Sequence, residues 1–283
     1  MKVNTIKIKK SILKQVFKKR HSWSHKYDFG HLLIIGGSKL YSGSPVLAAM
    51  AALRTGVDLV TIIAPERAAN IAASFSPDLV TYPLKGDYLN ARHLKDLLKF
   101  TKGKTAVVIG SGLWKIRPVL DTIIEYMKNI NLPCVVDADA IHAIARNKKI
   151  NLRNCVITPH ANEFFTLSGI EPTIKLGKRI EAVKKVATEM ETIILLKGHV
   201  DIISDGEKVA INKTGNPYMT VGGTGDTLAG ICGSLLAQGI DCFTAVCAAA
   251  YINGKAGDIV AKELKQALTA TDLIKAIPKV IKG

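Results

Sequence analysis

The sequence has no Gly-x-Gly-x-x-Gly after its first apolar run, no complete P-loop and no Cys-x-x-Cys pair. The first two absences remove the Rossmann dinucleotide fingerprint and the Walker phosphate cradle. Gly103-Lys104-Thr105 imitates a P-loop ending, but position 98 is Leu rather than Gly, and a strand is expected where a helix should follow. Cys134, Cys155, Cys232, Cys242 and Cys247 are odd in number and sit among apolar residues. They predict buried thiols in a reducing cytoplasm, with neither a disulfide frame nor a zinc site. No run approaches the ~20 apolar residues of a membrane span. Near the N-terminus Ile and Lys alternate (Ile6, Lys7, Ile8, Lys9), so the apolar core of a signal peptide is absent. Acids are scarce, 23 against 39 Lys and Arg, which leaves a net charge of +16. Nine of those bases and no acid fall in residues 1–26, so a solvated basic segment, 1–24, is expected before one domain at 25–283. The body lacks the basic-aromatic interleaving of a nucleic-acid reader, and no specific nucleic-acid or membrane partner is expected.

What is present is a regular alternation. Apolar runs bounded by glycines, such as Leu32–Ile35, Leu59–Ile63 and Thr105–Ile109, read as buried parallel strands. Helical stretches separate them, with Pro45 and Pro65-Glu66 at helix starts and a long amphipathic helix at about 174–189. Ser204-Asp205-Gly206 predicts a hairpin between two short strands, and Pro278 predicts the end of a short last helix. The pattern predicts an α/β fold with a mostly parallel central sheet and helices on both faces. Polar and Gly-rich insertions fall after strand C-termini, where open α/β sheets keep their sites.

The chain is organised around Val221-Gly222-Gly223-Thr224-Gly225-Asp226-Thr227, a Gly-rich loop that runs straight into an apolar helix. Free N–H groups at such a helix start form an anion site, here at Gly223, Thr224 and Gly225. Asp226 is the odd member. Either it caps the helix, or it takes a proton from a hydroxyl while the amides hold developing charge. Lys197-Gly198 ends a strand, where the Lys either meets a phosphate or lies on the surface. His160 and Glu163 are three apart, which predicts a pair on one helical face that could orient a substrate and, through water, Mg²⁺, or an early helix acid. Asp137 and Asp139 follow another strand, where they either lie near a metal or cap the next helix, the reading favoured here. His21, His25, His31, His93, His142 and His199 show no ligand spacing.

Taken together, several segments resemble the ADP- or ATP-dependent NAD(P)H-hydrate dehydratases, nicotinamide-repair enzymes of ribokinase-like fold. They are His25-Lys26 through Gly37-Ser38, Gly43 to Ala49, Gly110-Ser111-Gly112-Leu113, Asp137 to Ala140, Thr158-Pro159-His160 with Glu163, Leu196-Lys197-Gly198, Gly215-Asn216-Pro217 and Gly223-Thr224-Gly225-Asp226. The match covers about residues 25–277 and departs from the family pattern at Ser44, Asp58 and Ser111, where Ala, a small residue and Pro are usual. The resemblance implies transfer of the terminal phosphoryl of ADP, favoured over ATP, to the ring hydroxyl of hydrated NAD(P)H, followed by loss of phosphate. It implies Asp226 as base, and Ser44, Gly112, His160 and Asp226 as contacts of the hydrated dinucleotide. Lys197, Gly198, His199, Val200, Asp201 and Gly225 match the nucleotide positions, and Glu163 the Mg²⁺ position. A homo-oligomer, by analogy a tetramer, is expected. So is a separate epimerase, since only ~25 residues precede the match, too few for such a domain. Two other readings stand beside this one. The first is a kinase of the same fold for a vitamin precursor or sugar, and the second a non-catalytic dinucleotide or RNA binder using the basic segment.

Overall fold

The structure is a computed structural model that describes residues 4–282. Ten strands form one sheet: β1 (Thr5–Lys7), β2 (His31–Ile35), β3 (Leu59–Pro65), β4 (Val80–Leu84), β5 (Ala106–Ile109), β6 (Cys134–Val136), β7 (Cys155–Ile157), β8 (Ile193–Leu196), β9 (Asp201–Ser204) and β10 (Val209–Asn212). Their order is β1-β10-β9-β8-β7-β6-β5-β2-β3-β4. Every pairing is parallel except those of β9 with β8 and β10. Both faces of the sheet are covered, and the central strands β2, β5, β6, β7 and β8 are apolar at nearly every position. Leu32, Ile34, Val108 and Val156 join one core and Leu33, Ile35, Ile109 and Ile157 the other, as a side-chain period of two requires.

The first core is roofed by α1 (Leu13–Val16), α2 (Gly43–Thr55), α3 (Glu66–Phe75), α9 (Thr224–Ala237), α10 (Cys242–Leu264) and α11 (Ala270–Lys282). The second is roofed by α4 (Leu94–Thr101), α5 (Arg117–Lys128), α6 (Asp139–Arg146), α7 (Ala161–Ser168) and α8 (Leu176–Glu189). Among the described residues no helix is long and apolar enough to cross a membrane.

Two expectations change. The basic N-terminal segment is not a free arm: β1 pairs with β10, Ile8 N–H donates to Ile211 O at 3.0 Å, and Leu13 and Val16 are buried. The alternation of Ile and Lys is a strand signal, and an uncovered edge of β10 supplies the unpaired backbone groups that recruit it. The last helix also does not stop near Pro278 but runs through it to Lys282. Pro278 costs one backbone bond, and burial of Leu273, Ile274, Ile277 and Val280 around it outweighs that loss. The hairpin at Ser204-Asp205-Gly206 is present, with Asp205 Oδ1 accepting from the N–H groups of Glu207 and Lys208.

Helix α9 is buried without a break from Thr227 to Ala237, because it runs between the sheet and α2. At Gly230 a Cβ would collide with the Ala48 carbonyl of α2. Gly230→Ala is therefore expected to destabilise the protein by ~3 kcal/mol or more, as overpacking against backbone does, and thermal unfolding measures it.

Candidate active site

The C-terminal ends of β2, β5, β6, β7 and β8 share one edge of the sheet. Each is followed by a motif singled out in the sequence: Gly36-Gly37-Ser38, Gly110-Ser111-Gly112, Asp137, Thr158-Pro159-His160 and Lys197-Gly198. The chain leaves β2 for β3 on one side and returns as β5 on the other, so this edge contains a topological switch point. Helix α9 begins here. Gly223 is its N-cap at φ 93, a left-handed conformation, and no side chain caps its first turn. A Cβ at Gly223 would also meet Leu47 Cδ1 at 2.5 Å and Ala270 Cβ at 2.9 Å. The loop is held from behind: Thr227 Oγ1 donates to Asn253 Oδ1 at 2.8 Å, and Asn253 Nδ2 donates to Thr224 O at 3.2 Å. The first amides of α9 are thus left for a ligand, and Asp226 is not a helix cap.

Lys197 occupies the middle of this edge. Its ammonium lies 3.0 Å from Asp137 Oδ1 and 3.9 Å from Glu163 Oε2, and 3.5 Å from where a Cβ on Gly225 would sit. Burial works against its charge, but Asp137, Glu163 and Asp226 overcome this, so the Lys197 pKa is raised and the group stays an ammonium. Asp137 also accepts from Thr158 Oγ1 at 2.7 Å, so the capping role read for it does not hold. Asp139 does not cap α6 either; it accepts from the Trp114 N–H at 2.8 Å. The strand end turns into α6 at Ala138, which carries φ 48, and this turn sends both carboxylates back toward neighbouring loops.

His160 and Glu163 meet, but as a reciprocal cap and not as a pair on one helical face. His160 is the N-cap of α7, its Nδ1 accepts from the N–H groups of Asn162 and Glu163 at 3.2 Å, and Glu163 Oε2 accepts from the His160 N–H at 2.8 Å. With Nδ1 accepting, the ring proton is on Nε2, 3.3 Å from Glu163 Oε1. Among the described residues no group of three or more His, Cys, Asp or Glu converges on a metal position. A single carboxylate such as Glu163 is the donor type that would suit Mg²⁺ arriving on phosphates with most of its waters kept.

A cleft of about 660 Å³ opens beside the loop, lined by His160, Lys197, Gly198, His199, Asp201 and Gly225 among others. Asp201 works as a brace: it accepts from the Gly198 N–H and from Asn212 Nδ2, both at 3.0 Å. Val200 is not part of this cleft and lines a second one of about 580 Å³, between α7 and α8. Ser44 and Gly112 lie on the other side of Asp226, with Ser44 Oγ 3.4 Å and Tyr41 Cβ 2.8 Å from a Cβ placed on Gly112. Asn216, within the Gly215-Asn216-Pro217 segment, and Asn253 also line the first cleft; Asn253 was not singled out by the sequence, where a lone Asn carries no signal.

Asp226 is the exceptional group. Burial and the nearby Asp137 charge push its carboxyl up to about 7, against the pull of the Ser111 and Ser44 hydroxyls and Lys197. Ser111 Oγ is buried and completes no hydrogen bond of regular geometry, so it approaches the carboxyl with capacity to spare. A carboxyl whose pKa is higher in the folded chain than the unfolded value of 3.8 binds its proton more readily when folded. Stability from this group is then full below the unfolded value and is lost as pH rises through about 7. Asp226→Asn should thus raise stability by about 1–3 kcal/mol at about pH 8 and give no gain at about pH 4, read as the difference in thermal unfolding.

The chain as a whole has counterparts among known proteins. The family model for NAD(P)H-hydrate dehydratase (Carb_kinase) matches residues 32–279. The chain is 42% identical over 266 residues to a bifunctional NAD(P)H-hydrate repair enzyme of Pyrobaculum aerophilum, covering 93% of this chain and 52% of that one. It therefore spans about half the length of such bifunctional relatives. It is 36% identical to an ADP-dependent (S)-NAD(P)H-hydrate dehydratase of Cenarchaeum symbiosum, covering 92% of this chain and 91% of that one. Among solved structures, the ADP/ATP-dependent NAD(P)H-hydrate dehydratase of Bacillus subtilis, co-crystallised with ATP and Mg²⁺, superposes with a TM-score of 0.83 at 25% identity, covering 99% of this chain and 98% of that one. The architecture is ribokinase-like. With the sheet, the motif order and the family match in agreement, the chain belongs to the NAD(P)H-hydrate dehydratase family.

Proposed function

We propose that the protein dehydrates (S)-NAD(P)H hydrate to NAD(P)H at the expense of ADP, with ATP as the lesser donor. The observation that carries this reading is geometric: the Asp226 carboxyl stands in the first turn of α9, beside helix amides that no side chain caps and the half-buried Lys197 ammonium, and its pKa is raised by burial. That set suits a hydroxyl acceptor and a phosphoryl donor meeting at one point.

In this mechanism the nucleotide lies in the cleft along Lys197, Gly198, His199 and Asp201, and its terminal phosphoryl group meets the amides of Gly223, Thr224 and Gly225. The family positions also include Val200, which lines the second cleft, and that cleft shares Lys197, Gly198 and His199 with the first. The hydrated ring lies among Ser44, Gly112 and His160 with its hydroxyl at Asp226. Asp226 takes the hydroxyl proton as the oxygen attacks phosphorus, and the bond to the nucleotide's bridging oxygen breaks. Hydroxide is a poor leaving group and phosphate a good one. The ring nitrogen lone pair then expels phosphate, and loss of a proton from the adjacent ring carbon restores the dihydropyridine. Lys197 and the amides stabilise negative charge that develops in transfer. Mg²⁺, held through water by Glu163, would neutralise phosphate charge when bound.

The preference for ADP is supported by the C. symbiosum relative, which is ADP-dependent by name and matched over nearly its whole length. A kinase of the same fold differs in its product, a stable phosphate ester. The assay mixes the purified protein, Mg²⁺ and ADP, then ATP, with hydrated NADH and follows the near-ultraviolet absorbance of reduced nicotinamide together with released phosphate. Nucleotide-dependent growth of that absorbance is expected, and its absence with both donors overturns the reading. Asp226→Asn is expected to lower turnover by about a thousandfold or more with the fold intact, and retention within about tenfold of wild type excludes Asp226 as the base.

A further inference from the structure

The reaction described above leaves one buried charge without a task. Asp137 follows β6, its side chain is 3% exposed, it does not cap α6, and the mechanism above gives it no role. Its Oδ1 instead takes two hydrogen bonds, from Thr158 Oγ1 at 2.7 Å and from Lys197 Nζ at 3.0 Å. A buried ion pair adds little net stability compared with apolar packing of the same volume, so stability is a poor reason for the charge. Position is a better one. Lys197 has three carboxylates within its electrostatic reach, Asp137, Glu163 and Asp226, and Asp137 hydrogen-bonds it at 3.0 Å, against 3.9 Å to Glu163.

Resting on the phosphoryl-transfer reading, we infer that Asp137 is a positioning residue: it fixes the Lys197 ammonium beside Gly225 and keeps that charge from pairing with Asp226. Were Lys197 to close on Asp226, the base would be held as an ion pair and would lose its affinity for a proton from a neutral hydroxyl. Anchored to Asp137, the ammonium stays where an incoming phosphoryl group meets the first amides of α9, and Asp226 stays available. The groups facing Asp226 are Asp137 from the β6 end, Lys197 from the β8 end, Ser111 from the β5 end and Ser44 from α2. Asp137 and Lys197 act with opposite sign. Neutralising Asp137 removes a repulsion and frees the attraction, and both changes favour ionised Asp226.

The test is Asp137→Asn, which keeps the shape and an acceptor for Thr158. Two quantities are measured: the pH profile of NAD(P)H formation, and the titration of the Asp226 carboxyl carbon by ¹³C NMR in nucleotide-free protein, assigned with Asp226→Asn. Both midpoints are expected to fall by about one pH unit, with turnover at the optimum down by about ten- to hundredfold. Thr158→Val, which removes the tie between β6 and β7, is expected to lower the melting temperature without moving either midpoint. Unmoved midpoints in Asp137→Asn, with only stability lost, would overturn the inference. If that variant does not fold, Asp137→Asn is made in the Lys197→Met background, where the double variant buries one carboxylate fewer beside the missing ammonium than Lys197→Met alone. Asp137→Asn should then cost little further turnover, because its main effect runs through Lys197, and a second full loss of turnover overturns the inference. The carboxyl titration needs no substrate, so a wild type inactive on NAD(P)H hydrate refutes the dehydratase reading and leaves this inference to be decided separately.

Discussion

The site depends on one half-buried ammonium. Lys197 stands at the end of β8 with Asp137 at 3.0 Å and Glu163 at 3.9 Å, and three loops that end separate strands are tied together through it. Without that positive charge, Asp137, Glu163 and Asp226 would bring three like charges to one sheet edge, a costly arrangement in low dielectric. With it, the cluster holds two carboxylates in fixed bonds and leaves the third, Asp226, raised to about 7 by burial and by Asp137. The chemistry follows from this division of labour. Two acids are structural partners and one is left able to exchange a proton near neutral pH.

The second constraint is steric. An anion site made of backbone amides needs a helix start that approaches the cluster closely, and α9 achieves this by packing backbone against backbone. Gly230 lies on the Ala48 carbonyl, Gly233 lies against Val108 and Leu32, and Gly223 takes a left-handed turn against Leu47 and Ala270. Asn253 of α10 then accepts and donates at the first turn, so the amides facing the cleft are held from the far side. The helix is thereby placed by close contact and by hydrogen bonds, and its dipole adds to the field of Lys197 at the same point.

Much of this was legible beforehand because it is local. Periodicity located the strands and helices, and the Gly-rich loop located the helix start, since both depend on neighbours in sequence. The hairpin at Ser204-Asp205-Gly206 and the amphipathic helix near 174–189 are of the same kind. The short strand Thr5–Lys7 was visible as an alternation of Ile and Lys, but its meaning depended on an open edge of β10 over two hundred residues away. The helix through Pro278 went unread for a related reason: burial of the side chains around it, and not local propensity, decides that turn.

The site divides along the same line. The sequence by itself determined which residue types were available, an acid after Gly-x-Gly, a lysine at a strand end, a histidine and a glutamate three apart, and their order was specific enough to indicate a family. Only the tertiary structure decided what each one does. It turned Asp137 from a helix cap into the partner of Lys197, and made His160 and Glu163 a reciprocal cap of α7. It also placed Val200 on the second cleft alone, whereas Gly198 lines both, and turned Asp201 into a loop brace. The reason is that electrostatic roles depend on distance and burial between groups remote in sequence, and those quantities come into being only when parallel strands bring their C-terminal ends to one edge.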